Sequence, residues 1–118
     1  MPESNKHPQD FLPLTSTEFH ILLVLADKPL HGYGIMQTIE KQTDAVVILG
    51  PGNLYTTIKR LLEREWIEET TPPADADDTR RKYYELTSFG KRIVRAEANR
   101  LSSLINHAKS LGLVGTEN

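Results

Sequence analysis

The stretch GPGNLYTTIKRLLEREWI, from Gly50 to Ile67, holds the side chains with the most specific chemical potential in this chain. Asn and Arg can each make paired hydrogen bonds to the edge of a base, and a Thr methyl can meet the methyl of thymine. Asn53, Thr56, Thr57 and Arg60 are therefore candidates for contact with base edges in duplex DNA. Tyr55, Lys59 and the run Arg80-Arg81-Lys82 are candidates for phosphate, whose neutralisation supplies much of the affinity of proteins for DNA. Other chemistry-bearing residues do not assemble into sets. There is no cysteine, which excludes disulfides, thiolate metal sites and thiol nucleophiles. His7, His20, His31 and His107 lack the spacing of metal ligands, and His31, just before Gly32, suits a bond to nearby backbone better than catalysis. The Asp and Glu pairs are not flanked by the apolar pocket residues that acid–base work requires. No enzyme activity and no cofactor are expected.

The elements that would position these groups can be read from periodicity. In a chain of 118 residues, one domain with a modest core is expected. Residues 1–13 are polar and punctuated by proline, and read as a flexible arm. Thr15 followed by Glu18 resembles a capping box, and Phe19, Leu22, Leu23 and Ala26, with Ile21 and Leu25, predict a largely buried first helix ending near Pro29. A second helix fits from Gly32 to Gln42, burying Ile35, Met36 and Ile39. Gly32 and Gly34 lower its propensity by about 1 kcal/mol each, a cost that close approach to a neighbouring helix would offset. Val46-Val47-Ile48 reads as a strand or an extended connector.

The third helix opens at Gly50 with Pro51 in its first turn. At 100° per residue Leu54, Ile58, Leu61 and Leu62 share one side; Asn53, Thr56, Thr57, Arg60 and Arg64 fall opposite, with Tyr55 and Lys59 at the border. From Trp66 to Thr71 and from Arg80 to Leu86 the pattern is that of two strands around turn residues, with Trp66 at the base of the hairpin, Tyr84 and Leu86 on one face and Tyr83 on the outer one. Thr87 would cap a last helix from about Ser88 to Ser110. Val94, Ala98, Leu101, Ile105 and Ala108 repeat at spacings of four and three, the seam of a helix that meets a second chain. The expected organisation is thus a mainly α fold with a small β-hairpin wing: a winged helix-turn-helix over 14–87, a dimerisation helix over 88–112 and a frayed tail over 113–118.

The formal net charge of −2 hides a local separation. Glu63, Glu65, Glu68, Glu69, Asp75, Asp77 and Asp78 form an acidic zone; Arg80, Arg81, Lys82, Lys91, Arg92, Arg95 and Arg100 form a basic one. For DNA a local basic patch matters more than the total. No apolar run approaches the roughly 20 residues of a membrane span, and the first residues lack a signal-peptide pattern, so a cytoplasmic protein without membrane contact is expected.

LHGYGI (Leu30–Ile35), the Gly50–Ile67 stretch with its Leu54-Tyr55 pair, and RRKYYELTSFGKR (Arg80–Arg92) together resemble the PadR family of bacterial transcriptional regulators. The resemblance runs from Thr15 to about Ser110, and the single short C-terminal helix is similar to the smaller subgroup. It implies a winged helix-turn-helix whose third helix enters the major groove, a wing against the backbone or minor groove, a homodimer built on the last helix, and response to a small-molecule effector, often aromatic or drug-like and held near the dimer interface. It implies a double-stranded DNA operator as partner and repression as the usual role. Three positions depart from the family pattern: Gly50 replaces a common Ser cap, Glu65 replaces a usual glycine, and Asp75, Asp77 and Asp78 make the wing tip acidic. The acidic wing and net charge also leave a second reading, a winged-helix module that binds protein or small molecules and has no DNA affinity.

Overall fold

The computed structural model describes residues 6–76 and 79–115. After a short 3-10 helix, Pro8–Phe11, come α1 (Ser16–Asp27), β1 (Leu30–His31), α2 (Gly32–Gln42), α3 (Pro51–Glu63), β2 (Ile67–Thr70), β3 (Tyr83–Leu86) and α4 (Ser88–Ser110). The architecture is mainly α with a small antiparallel sheet and a long last helix, as expected. The sheet has the order β1-β3-β2. In the hairpin Ile67 faces Leu86 and Thr70 faces Tyr83, while the two-residue β1 pairs Leu30 with Tyr84 and His31 with Tyr83.

Local chemistry fixes the helix starts. Thr15 Oγ1 accepts the Glu18 N–H at 3.1 Å and Glu18 Oε1 accepts the Thr15 N–H at 2.9 Å, the reciprocal capping box. His31 Nδ1 accepts the Gly34 N–H and so caps α2. Thr87 Oγ1 accepts the Gly90 N–H at the start of α4 and donates to the carbonyls of Glu65 and Trp66, tying this helix to the hairpin base. A side chain on Gly90 would overlap the Trp66 carbonyl, which is why no Cβ can stand there.

The core is built around α1, which packs on α2, α3, α4 and β3. Ile21, Leu22, Val24 and Leu25 of α1 join Ile35, Ile39, Leu54, Ile58, Leu61, Trp66 and Ile93 in one buried cluster. Surrounded on several sides, α1 does not follow the single stripe expected of it: Leu23 and Ala26 are exposed, whereas Glu18 and Val24 are buried.

Other expectations are corrected by the structure. The segment before α1, expected to be a flexible arm, is seated where described: Pro8 is buried, and the Phe11 ring stands edge-on to Trp66 and Phe89 at 5.5 and 5.9 Å. The Leu14 N–H donates to the buried carboxylate of Glu97 at 2.9 Å and fastens this segment to α4. Its first five residues, 1–5, lie outside the described residues, as do Asp77, Asp78 and the last three residues of the tail, 116–118. Of the two forms expected for Val46–Ile48, a strand or an extended connector, the structure shows the connector; Asp44 and Ala45 have φ of 52° and 63°, and Thr43 Oγ1 closes the turn against the Ile39 carbonyl and the Val47 N–H. Arg80, Arg81 and Lys82 precede β3 instead of lying within it. Tyr83, expected on an outer face, is 5 % exposed because β1 covers that side and the His31 ring meets it edge-on.

Candidate nucleic-acid interface

α3 is held against the core by one buried row and one ion-pair clamp. Leu54, Thr57, Ile58 and Leu61 are buried, so the exposed arc runs through Gly52, Asn53, Tyr55, Thr56, Lys59 and Glu63. Of the candidates for base edges, Asn53 and Thr56 lie on this arc. Thr57 does not: it is 1 % exposed, and its hydroxyl donates to the Asn53 carbonyl at 2.8 Å, so its polar atom is satisfied within the helix. A Thr that bonds its own backbone can sit at the edge of an apolar stripe, a role that side-chain polarity alone does not reveal.

Arg60 occupies the margin between the exposed arc and α1. Its Nε donates to Glu18 Oε2 at 3.2 Å, and Arg64 Nη1 reaches the same oxygen at 3.1 Å. The Glu18 side chain is 6 % exposed while those of Arg60 and Arg64 are 37 % and 43 % exposed, so the charge pair is buried at its acidic end only. Burial pushes the Glu18 carboxyl pKa up, but the Thr15 N–H and the two guanidinium groups outweigh it and hold the pKa below the ordinary carboxylate value. Arg60 is therefore neither deep in the fold nor opposite the core.

The first turn of α3 meets α2 and the hairpin at a cleft. The Tyr55 hydroxyl rests directly over Gly32, where a Cβ would collide with it, so the close approach expected of this glycine is to an aromatic ring on the neighbouring helix. The cleft, about 480 Å³, is lined by Tyr33, Met36, Tyr55, Tyr84, Arg81 and Lys82 among others. Arg81 lies over the Tyr33 ring, 5.5 Å from its centre, and its Nη1 is 3.3 Å from His31 Nδ1. Lys82 lies 3.7 Å from Glu69, an exposed pair that restrains the lysine little. Arg80 is exposed beside them. Burial, with Glu69 and Tyr55 adding to it, raises the Tyr84 pKa and keeps that phenol protonated. Tyr33 was not among the candidates drawn from sequence; its place beside Gly32 in LHGYGI was the available signal.

The structure thus brings Tyr55, Arg81 and Lys82 together beside Asn53, Thr56 and Lys59. The positive charges of α4 do not line this cleft. Arg92 lies over the Phe89 ring and, with Arg95, borders a depression shared with His7 and Gln9, and Arg100 is bound to Glu97. That bond to Arg100, helped by the Leu14 N–H and opposed by burial, holds the Glu97 carboxyl pKa below its ordinary value.

Along α4, Val94 belongs to the chain's own core at 7 % exposure and is not available to a second chain. Past Glu97 the helix leaves the core. Ala98 and Ile105 are exposed, Leu101 and Ala108 are half-buried, and Leu104 and Leu111, outside the expected seam, are 53 % and 60 % exposed. Beyond the core the exposed apolar side chains therefore extend past the expected seam to Leu104 and Leu111, since the first turn of the seam, like Glu97 beside it, is buried within the chain itself.

Residues 21–96 match the family model described as the transcriptional regulator PadR-like family. Among relatives, a 37.1 kDa protein in transposon TN4556 of Streptomyces fradiae is 33 % identical over 71 % of this chain, and a protein designated X of Lysinibacillus sphaericus is 35 % identical over 60 %. The chain spans 22 % of the length of the first and 64 % of the second. Among solved structures, a PadR-like transcriptional regulator of Bacillus cereus aligns with a TM-score of 0.67 at 21 % identity, covering 80 % of this chain and 88 % of that one. A transcriptional regulator of Clostridium thermocellum gives 0.66 at 21 %, covering 83 % and 97 %. The adhesin competence repressor of Streptococcus pyogenes gives 0.61 at 23 %, covering 87 % and 69 %. At these identities the solved structures show the shared fold.

Proposed function

The chain belongs to the PadR-like family of transcriptional regulators, and from that premise we propose that it binds a specific duplex operator as a homodimer and represses transcription, with a small molecule as its effector. The observation that carries the DNA contacts is the adjacency of the exposed arc of α3 to the cationic cleft. Asn53 and Thr56 read base edges from that arc. Lys59, Tyr55 and the Arg80-Arg81-Lys82 segment meet phosphates on either side. Arg60 reaches the groove from its margin with Nε held by Glu18.

The distal half of α4 supports the homodimer. Ala98, Leu101, Leu104, Ile105, Ala108 and Leu111 give it an apolar strip beyond the core of its own chain. Two copies joined there by a twofold axis would present paired α3 helices to half-sites about one helical turn apart. Among the described residues no helix is long and apolar enough to cross a membrane.

The test is retention of duplex DNA from a random-sequence library by the purified protein, followed by affinity for the retained sequence across a salt series. A log–log slope of several units is expected, as phosphate contacts release counterions. A slope near zero would remove phosphate from the account and favour the protein- or small-molecule-binding module.

A further inference from the structure

The glycines of this chain divide by whether the fold itself explains them. Gly32 lies under the Tyr55 hydroxyl and Gly90 against the Trp66 carbonyl, and Gly112 has a φ of 74° that side chains rarely adopt. Gly52 has none of these reasons. It is exposed in the first turn of α3, its φ is not in the left-handed region, and a Cβ there would meet nothing within 4 Å. Alanine there would favour the helix, since glycine loses more backbone freedom on folding. The bare position therefore weakens the free protein without serving its packing.

We propose that Gly52 is the point of closest approach between α3 and DNA, and that its missing side chain is the space the duplex occupies. The chemistry of the neighbourhood selects this occupant. Asn53 and Thr56 share the exposed arc, and Lys59 is seven positions along the same helix. Gly50, where a Cβ would likewise meet nothing within 4 Å, flanks it through Pro51. The first residues of a recognition helix are those that approach base edges most closely. A methyl at Gly52 would hold the helix off the groove and lengthen the Asn53 and Thr56 contacts together. Gly52 thus determines the depth of reading without making a polar contact of its own.

This inference rests on the DNA-binding reading, and the experiment separates the two. The wild-type protein is used to select a duplex from a random-sequence library; if it retains none, the DNA reading itself fails. With a selected duplex in hand, Gly52→Ala and Gly52→Leu are compared with wild type in binding and in thermal unfolding at equal protein concentration. Unfolding midpoints at or above wild type are expected for Gly52→Ala, together with affinity at least about tenfold weaker and weaker again for Gly52→Leu, the scale of a lost groove contact. Affinity of Gly52→Ala within twofold of wild type overturns the inference. So does a lower unfolding midpoint for Gly52→Ala, which would show that the fold needs the glycine after all.

Discussion

Replacing Glu18 by Gln tests the clamp that holds α3 on α1. Gln keeps the size of a side chain that is 6 % exposed, and its carbonyl can still accept the Thr15 N–H. Its amide nitrogen, however, is turned toward the Arg60 Nε and Arg64 Nη1 donors, now without an acceptor. Two hydrogen bonds to a charged group would each contribute about 1.5–3 kcal/mol if fully buried. The guanidinium groups are 37 % and 43 % exposed and water can replace much of what they lose, which brings the expected cost to about 2 kcal/mol in all. At roughly 4 °C per kcal/mol for a domain of this size, the midpoint should fall by about 8 °C at pH 7. Acid gives the second half of the test. The Glu18 carboxyl pKa is lower in the folded chain than its unfolded value of about 4.3, so protonation favours unfolding. The advantage of wild type over Glu18→Gln is fully present above that value and disappears as the pH falls through the folded one. Urea or thermal midpoints from pH 7 to about pH 2.5, at equal protein concentration, should therefore converge. Glu97 titrates in both proteins and cancels from their difference. Equal midpoints at pH 7, or a gap that persists in acid, would refute the clamp.

Three other outcomes are expected. Glu65 has a φ of 63°, a backbone region that costs a side-chain-bearing residue roughly 1 kcal/mol or more, so Glu65→Gly should raise the unfolding free energy by about that amount in urea titrations. Arg81→Ala should weaken binding to all duplex sequences alike, and Tyr33→Leu should weaken it only while Arg81 is present, so a double-mutant cycle with a coupling of about 0.5–1 kcal/mol is expected from the stacked cation. Leu104→Glu with Ile105→Glu should convert a dimer to monomer in sedimentation without unfolding it, because both residues are exposed in the isolated chain at 53 % and 48 %.

Sequence patterns with strictly local causes were legible. The Thr15–Glu18 box, the Pro51 start and the Thr87 cap each depend on a few neighbouring residues, and each is present in the structure. What escaped depends on contacts between distant segments. Nothing near Glu18 announces guanidinium groups 42 and 46 residues away. Tyr83 follows the alternation of an outward position until β1, only two residues long and too short for any periodic signal, covers it. The polar, proline-rich start of the chain concealed Phe11, whose two aromatic partners lie in the hairpin base and α4. At the interface, Asn53 and Thr56 could be placed by helical angle alone, while Thr57 and Arg60 stand near the boundary of the buried arc, where a few tens of degrees decide the outcome.

The buried hydroxyl of Thr57 also bounds what can be changed if this protein is to be retargeted to a new operator. Position 57 belongs to the frame, and position 60 cannot be varied without disturbing the seat of α1. The freely editable letters are therefore 53 and 56, a vocabulary of two, with 59 left to phosphate. A library confined to those sites would search new sequence preferences while leaving the scaffold's stability almost untouched, and one that randomised the whole helix would lose most of its members to misfolding before they met DNA.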